Sequence, residues 1–276
     1  TVHYFKHNDM QDLANLLETV AKDDKKYKRD ATQQRRFIVT EGLYHLTGDL
    51  CPLPELLKLR NKYCYRLIVD ETMSFGTLGA TGRGLTEHFG VNIADVDIIT
   101  LAMDTTLAGI GGACVGTREV VDHQRLSGSG YCFSASAPPF LFAASLEALN
   151  HLDSHGSDLL VKLRANVAAI RTGVDSIPHI EVISDEESAV VQLAMIESSG
   201  YEDDQDYFHD IADFCLKHGV AVVASGFDEK LTADMKKNNS SLQATLRLHV
   251  SAGLGPNEIK KVLKELKTGV VNVMGK

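Results

Sequence analysis

Three short apolar runs constrain this chain more than anything else in it. RFIVTE (Arg36 to Glu41), LIVD (Leu67 to Asp70) and DIITL (Asp97 to Leu101) are rich in β-branched residues and alternate with helical patterns. Asn8-Asp9 offers a cap, after which Leu13, Leu16, Leu17 and Val20 recur at helical spacing. Pro54 opens a second helical stretch through Leu56, Leu57 and Tyr63. Apolar strands separated by helices predict a parallel sheet with covered faces, and ACVG (Ala113 to Gly116) reads as its fourth strand.

The texture changes near residue 150, predicting domains 1–150 and 151–276. Leu159, Leu160, Leu163, Val167 and Ile170 form a long amphipathic helix. Strands follow at Val190–Ile196, Val220–Ala224 and Thr245–Val250, with helices at Tyr207–His218 and Pro256–Leu266, so the second domain reads as α+β. The polar stretch Ser225 to Gln243 is expected to be a mobile surface loop.

A formal net charge of −9 argues against a general nucleic-acid binder, which needs a basic surface. The basic cluster Lys25 to Arg36 reads as a solvated connection between a helix and a strand. The five cysteines, Cys51, Cys64, Cys114, Cys132 and Cys215, lack paired spacing and are expected to be reduced thiols, most of them buried. His88, His123 and His151 show no metal-ligand spacing, and no metal site is predicted. No run of about 18 apolar residues is present. The chain opens at Thr1 and reads as a fragment or a processed form.

Ligands of open parallel sheets bind beyond the carboxyl ends of the strands. Asp70 stands at such an end and has two readings: a carboxylate that pairs with a protonated ring nitrogen, or a cap for the following turn. The loop after the third strand, TLAMDTTLAGIGG (Thr100 to Gly112), contains no lysine, histidine or cysteine.

Five motifs occur in order: FKHND at Phe5, TEGLYHLTGDLCPLPEL at Thr40, VDETMSFGTLGATGRG at Val69, GYCFSASAPP at Gly130 and LRLHVSAG at Leu246. Together, over essentially the whole chain, they resemble the α-oxoamine synthase family of pyridoxal-phosphate enzymes, which condense an amino acid with an acyl-CoA and release carbon dioxide. The resemblance implies an α/β, aspartate-aminotransferase-like fold (fold type I). It has a mostly parallel sheet in a large domain and a small α+β C-terminal domain. It also implies a dimer with active sites at the interface, and further large-domain sequence before Thr1.

The departures from the family pattern carry as much weight. Counting back from Gly111-Gly112 puts Thr105 where the family's Schiff-base lysine stands, and a threonine cannot form an imine. Met73 takes the place of the histidine that packs on the cofactor ring, and His45 that of a serine. The histidine usual in the last motif is replaced near Leu254. Asp70 and Arg247 remain as vestigial cofactor and substrate-carboxylate positions.

A chain that resembles the family but has lost the lysine is expected to be the non-catalytic half of a heterodimer. The lysine-bearing catalytic subunit would hold pyridoxal 5'-phosphate covalently, and the complex would act on serine and a long-chain acyl-CoA. The full-length protein is expected at the endoplasmic reticulum membrane, anchored by an N-terminal segment not present here. Family geometry implies that Ser134 and Ser136 reach across the interface to the partner's cofactor phosphate. The alternative is a local turn whose hydroxyls bond within it. Asp122 and Arg125 read equally as interface rim or solvated turn, and Arg83 as a local or interface ion pair. Arg247 is expected to be satisfied by a nearby carboxylate. Three rival readings stand beside this one. They are a purely structural or anchoring role, weak binding of a pyridoxal-like ligand at Asp70, and an active homodimer using Lys6, Lys58 or Lys62, none of which lies in a strand-end loop.

Overall fold

A computed structural model describes residues 1–225 and 243–275. The stretch from Ser225 to Gln243, expected to be a mobile loop, therefore lies almost wholly outside the described residues. The chain divides into two compact units, Thr1–Tyr44 with Leu50–Asp158, and His45–Asp49 with Leu159–Lys276. The division falls eight residues beyond the change of texture at 150, inside a single helix, and transfers the short segment 45–49 to the second unit.

The first unit carries a four-stranded sheet in the order β1 (Phe37–Glu41), β2 (Arg66–Asp70), β3 (Ile98–Ala102), β4 (Gly112–Gly116). β1, β2 and β3 are parallel. β4 runs antiparallel to β3, so the sheet is mostly parallel, as the resemblance implies, with its fourth strand reversed. Only the nine residues 103–111 connect the two, too few for a crossover, so the chain must turn back on itself. Helices α1 (Met10–Tyr27) and α2 (Leu53–Tyr63) bury Leu13, Leu17, Leu53 and Leu56. Asp9 caps α1 by accepting the Asp12 N–H at 2.8 Å. The expected cover of both sheet faces fails at β1, where Ile38 and Thr40 are buried but Phe37 and Val39 are exposed. Short helices α3 (Leu85–His88), α4 (Arg118–Ser127) and α5 (Ser129–Phe133) follow in chain order.

The basic cluster is more than a solvated connection. Asp24, buried near the end of α1, accepts from Arg36 Nη1 at 2.5 Å and Nη2 at 2.7 Å, and lies 3.0 Å from Arg29 Nε. The Arg36 guanidinium holds this carboxyl below its ordinary range.

The 36-residue helix α6 (Pro139–Val174) starts twenty residues before the predicted one. The second unit pairs β5 (Ile180–Val182), β6 (Val190–Met195), β8 (Leu246–His249) and β7 (Val223–Ala224), in that order and all antiparallel. Helices α7 (Tyr201–Lys217) and α8 (Pro256–Met274) complete it. Val191, Leu193, Leu246 and Leu248 join Ile170, Phe208, Ile211, Leu266 and Val270 in one core. α7 begins six residues earlier than its apolar period predicts, because its first turn is acidic. Glu202, Asp203 and Asp204 suit a helix N-terminus, and Asp204 ties back to Ser198 Oγ at 2.6 Å and Ser199 N at 3.0 Å.

Candidate functional site

The register of the parallel strands sets Glu41, Asp70 and Thr100 side by side at the carboxyl end of the sheet. Asp70 is half-buried there. Its Oδ1 accepts from Thr72 N at 2.9 Å and its Oδ2 from Thr100 Oγ1 at 2.8 Å. The Ala102 N–H donates to Thr72 Oγ1 at 2.9 Å, and Thr105 Oγ1 donates to the Thr72 carbonyl at 3.0 Å. Thr106 Oγ1 donates to the Phe75 carbonyl at 2.7 Å. A chain of hydroxyls thus stitches the loop after β3 to the turn after β2. Asp70 caps that turn, and its neighbour Thr100 was not singled out in the sequence, since only strand register brings the two together.

The fit is close along the same seam. A Cβ on Gly76, whose φ is +78°, would lie 2.1 Å from Thr106 Cγ2. Met73 is half-buried in the turn, and its carbonyl accepts from Thr77 Oγ1 at 2.6 Å.

Glu71 is the residue the sequence reading passed over. It is buried directly behind Asp70 and accepts the Leu85 N–H on both oxygens, at 3.1 and 3.0 Å, together with the Ser74 hydroxyl. Burial pushes its carboxyl above the ordinary value, against those hydrogen bonds. Its signal in the sequence is the Asp-Glu pair itself, of which only the first was weighed.

These strand ends do not fit covalently held pyridoxal phosphate. No lysine occurs between Lys62 and Lys162, and Thr105, which the resemblance sets at the lysine position, donates its hydroxyl to the fold. No step of cofactor chemistry is therefore assigned to this chain.

In the second unit, β6 and β8 turn Leu193 and Leu248 toward the helices, so the intervening Gln192, Arg247 and His249 share the opposite face. Segment 45–49 lies on that face. Arg247 Nη1 donates to the His45 carbonyl at 3.2 Å, and a Cβ on Gly48 would come 3.4 Å from Gln192 Cγ. The His45 and His249 rings are 5.6 Å apart. Burial, then the Arg247 charge, pulls both below the ordinary histidine value. Burial also lowers Arg247. The carboxylate expected beside Arg247 is not there; among the described residues its side chain bonds only to a backbone carbonyl. Gln192, fully buried, has no partner for either side-chain amide atom among the described residues. Sequence reading missed it because a glutamine in an apolar run carries no motif.

Ser134 and Ser136 are both exposed. The Ser134 hydroxyl donates to the Gly130 carbonyl at the end of α5. Asp122 pairs along α4 with Arg118 at 3.4 Å, and Arg83 with Asp153 at 3.7 Å. The thiols divide differently from expectation: Cys51 and Cys215 are buried, Cys114 is intermediate, and Cys64 and Cys132 are exposed. Among the described residues no helix is long and apolar enough to cross a membrane.

A parallel sheet with an antiparallel fourth strand, followed by an antiparallel α+β unit, is a fold that pyridoxal-phosphate enzymes use. The chain belongs to the aminotransferase class I and II family, whose model its residues 1–266 match. It is 41% identical over 268 residues to Long chain base biosynthesis protein 1 of Arabidopsis thaliana, covering 97% of this chain and 53% of that protein. It is 34% identical over 274 residues to Serine palmitoyltransferase 1 of Dictyostelium discoideum, covering 96% and 55%. The chain thus spans about half the length of the curated relatives it matches. A high-resolution structure of SPT with PLP as an internal aldimine shares the fold at a TM-score of 0.80 and 23% identity, over 98% of this chain and 61% of that one.

Proposed function

We propose that this chain is the non-catalytic subunit of serine C-palmitoyltransferase, which condenses L-serine with palmitoyl-CoA to 3-ketosphinganine in sphingolipid biosynthesis. The observation that carries the reading is Thr105 in the loop after β3, with its hydroxyl bonded to Thr72 and no lysine near it in sequence. The names of the relatives support the reaction. Pyridoxal phosphate then belongs to a lysine-bearing partner subunit, where it supplies the electron sink for the condensation. Serine and the acyl-CoA bind in the complex. The full-length protein sits at the endoplasmic reticulum membrane through a segment outside this sequence.

In this reading Asp70 is a turn cap that outlasted its ring-nitrogen role, and Arg247 a former carboxylate ligand now tied to a backbone carbonyl. Ser134 and Ser136 serve the partner's cofactor phosphate, a task their exposure allows. The bond from Ser134 to Gly130 favours a second reading, a structural or anchoring pseudoenzyme without ligand contact. The test is co-expression of the full-length chain with its lysine-bearing partner. 3-Ketosphinganine formation by the mixture and by neither chain alone, with no cofactor absorbance from this chain alone, supports the reading.

A further inference from the structure

His151 and His155 stand four residues apart on α6. Taken with His88 and His123, His151 shows no metal-ligand spacing; taken with His155, it does. Residues four apart on a helix are neighbours on one face, and two imidazoles so placed can close on a single cation. The rings already meet: their centroids are 4.6 Å apart and their planes 24° from parallel. Both side chains are exposed, so the rings are free to turn. Zinc-bound imidazole nitrogens lie about 2.0–2.1 Å from the ion, which in a tetrahedral site sets them roughly 3.3 Å from each other. Tilting the two ring edges together from a 4.6 Å stack reaches that spacing by side-chain rotation alone. The neighbouring charges suit a cation. Glu147 precedes His151 by four residues and Asp158 follows His155 by three, so both exposed carboxylates lie on the same stripe of the helix. Asp153, on another face, meets Arg83 at 3.7 Å.

We propose that His151 and His155 form a bidentate site for a divalent transition-metal cation of the zinc class. Both ligands come from one turn of this chain's own helix, so the site stands apart from the proposed function. Among the described residues no group of three or more metal-ligating side chains forms, so the pair supplies two ligands and water the others. A structural zinc site closes with four protein ligands; this one leaves its ion exchangeable and more weakly held. Imidazole suits Zn²⁺, Cu²⁺ and Ni²⁺, whereas carboxylate and water suit Mg²⁺ and Ca²⁺, so the pair discriminates against the hard cations. The chelate closes a helical turn directly before Gly156, the poorest helix former in that part of α6, and holds the helix where its own propensity is lowest.

The test is calorimetric titration of the full-length chain, free of any histidine tag, with Zn²⁺. The wild type should bind zinc with micromolar affinity, and His151→Ala and His155→Ala should each weaken that binding about tenfold or more. Cu²⁺ should bind more tightly than Zn²⁺, and Mg²⁺ should not compete. Both histidines are exposed on a helix, so the variants should fold, and circular dichroism checks that they do. A further variant separates geometry from histidine content. His155→Ala combined with Ser157→His keeps the number of histidines but moves the second ring off the stripe, and should bind as weakly as His155→Ala. Zinc should also raise the Tm of the wild type more than that of any variant. Zinc binding unchanged in either alanine variant, or restored by Ser157→His, would overturn the inference, as would a wild-type chain that takes up no zinc.

Discussion

The Thr105 hydroxyl donates to the Thr72 carbonyl across 3.0 Å, fastening the loop after β3 to the turn after β2. Under the proposed function this is the position where covalent cofactor chemistry needs an amine, and its hydroxyl is instead a fold contact. Thr105→Lys in the full-length chain alone should therefore give no imine absorbance and no turnover, since Met73 and His45 also depart from the family pattern. It should lose about 1 kcal/mol of stability with the hydrogen bond, read as a fall in Tm. Turnover by this single variant would refute the claim that several residues together retired the site.

Ser134 and Ser136 test whether this chain serves its partner's cofactor. Replacing both with alanine should weaken cofactor binding by the complex about tenfold or more, the effect of losing a hydrogen bond to a charged phosphate. The two chains should still co-purify. Unchanged affinity in a cofactor titration would leave only the structural role.

Glu71 makes a prediction about pH. Burial raises its folded pKa above the ordinary value of 4.5. Its protonated form therefore stabilises the fold fully below pH 4.5, and that contribution is lost as pH rises through the higher folded value. Glu71→Gln keeps an acceptor for the Leu85 N–H and carries no charge. Denaturant titrations should show wild type and variant nearly equal below pH 4.5, with the balance shifting toward the variant as pH rises. A gap independent of pH would contradict this account of the buried carboxylate.

Asp24 behaves in the opposite sense. Arg36 lowers its folded pKa, so its contribution is present above 3.8 and is lost as pH falls through the depressed folded value. Asp24→Asn should cost roughly 2–3 kcal/mol at neutral pH, because it leaves Arg36 without its bidentate partner. Denaturation midpoints at pH 7 and pH 3 check this, with the two proteins converging at the lower pH.

The thiols offer a labelling test. Burial pushes Cys51 and Cys215 up to about 11, so neither presents a thiolate at neutral pH. Exposed Cys64 and Cys132 should react first with a thiol reagent in the native full-length chain, and Cys51 and Cys215 only on unfolding. Peptide mapping of the labelled sites reads the order.

Much of the fold is legible in the sequence because its signals are local. The runs at Phe37, Leu67 and Ile98 are strands since β-branched residues between helices have few other uses. The direction of β4 was not read, though the shortness of the 103–111 connection implies it. The early start of α7 was hidden by Glu202, Asp203 and Asp204, which favour a helix N-terminus without adding to its apolar period. At the strand ends, Asp70 and Thr105 stand out by residue type, but the hydrogen bonds that join them through Thr72 and Thr100 depend on register between strands. Gln192 beside Arg247 is invisible for the same reason: 55 positions separate them, and only the pairing of β6 with β8 makes them neighbours.

The central claim is that this chain is the half of its enzyme without cofactor chemistry. The direct measurement is absorbance and product formation by the full-length chain alone, by the lysine-bearing subunit alone and by the two together. The account predicts an imine band and 3-ketosphinganine in the mixture, and neither from this chain by itself. A band and turnover from this chain alone would contradict it, and would mean that a lysine other than one at position 105 carries the chemistry.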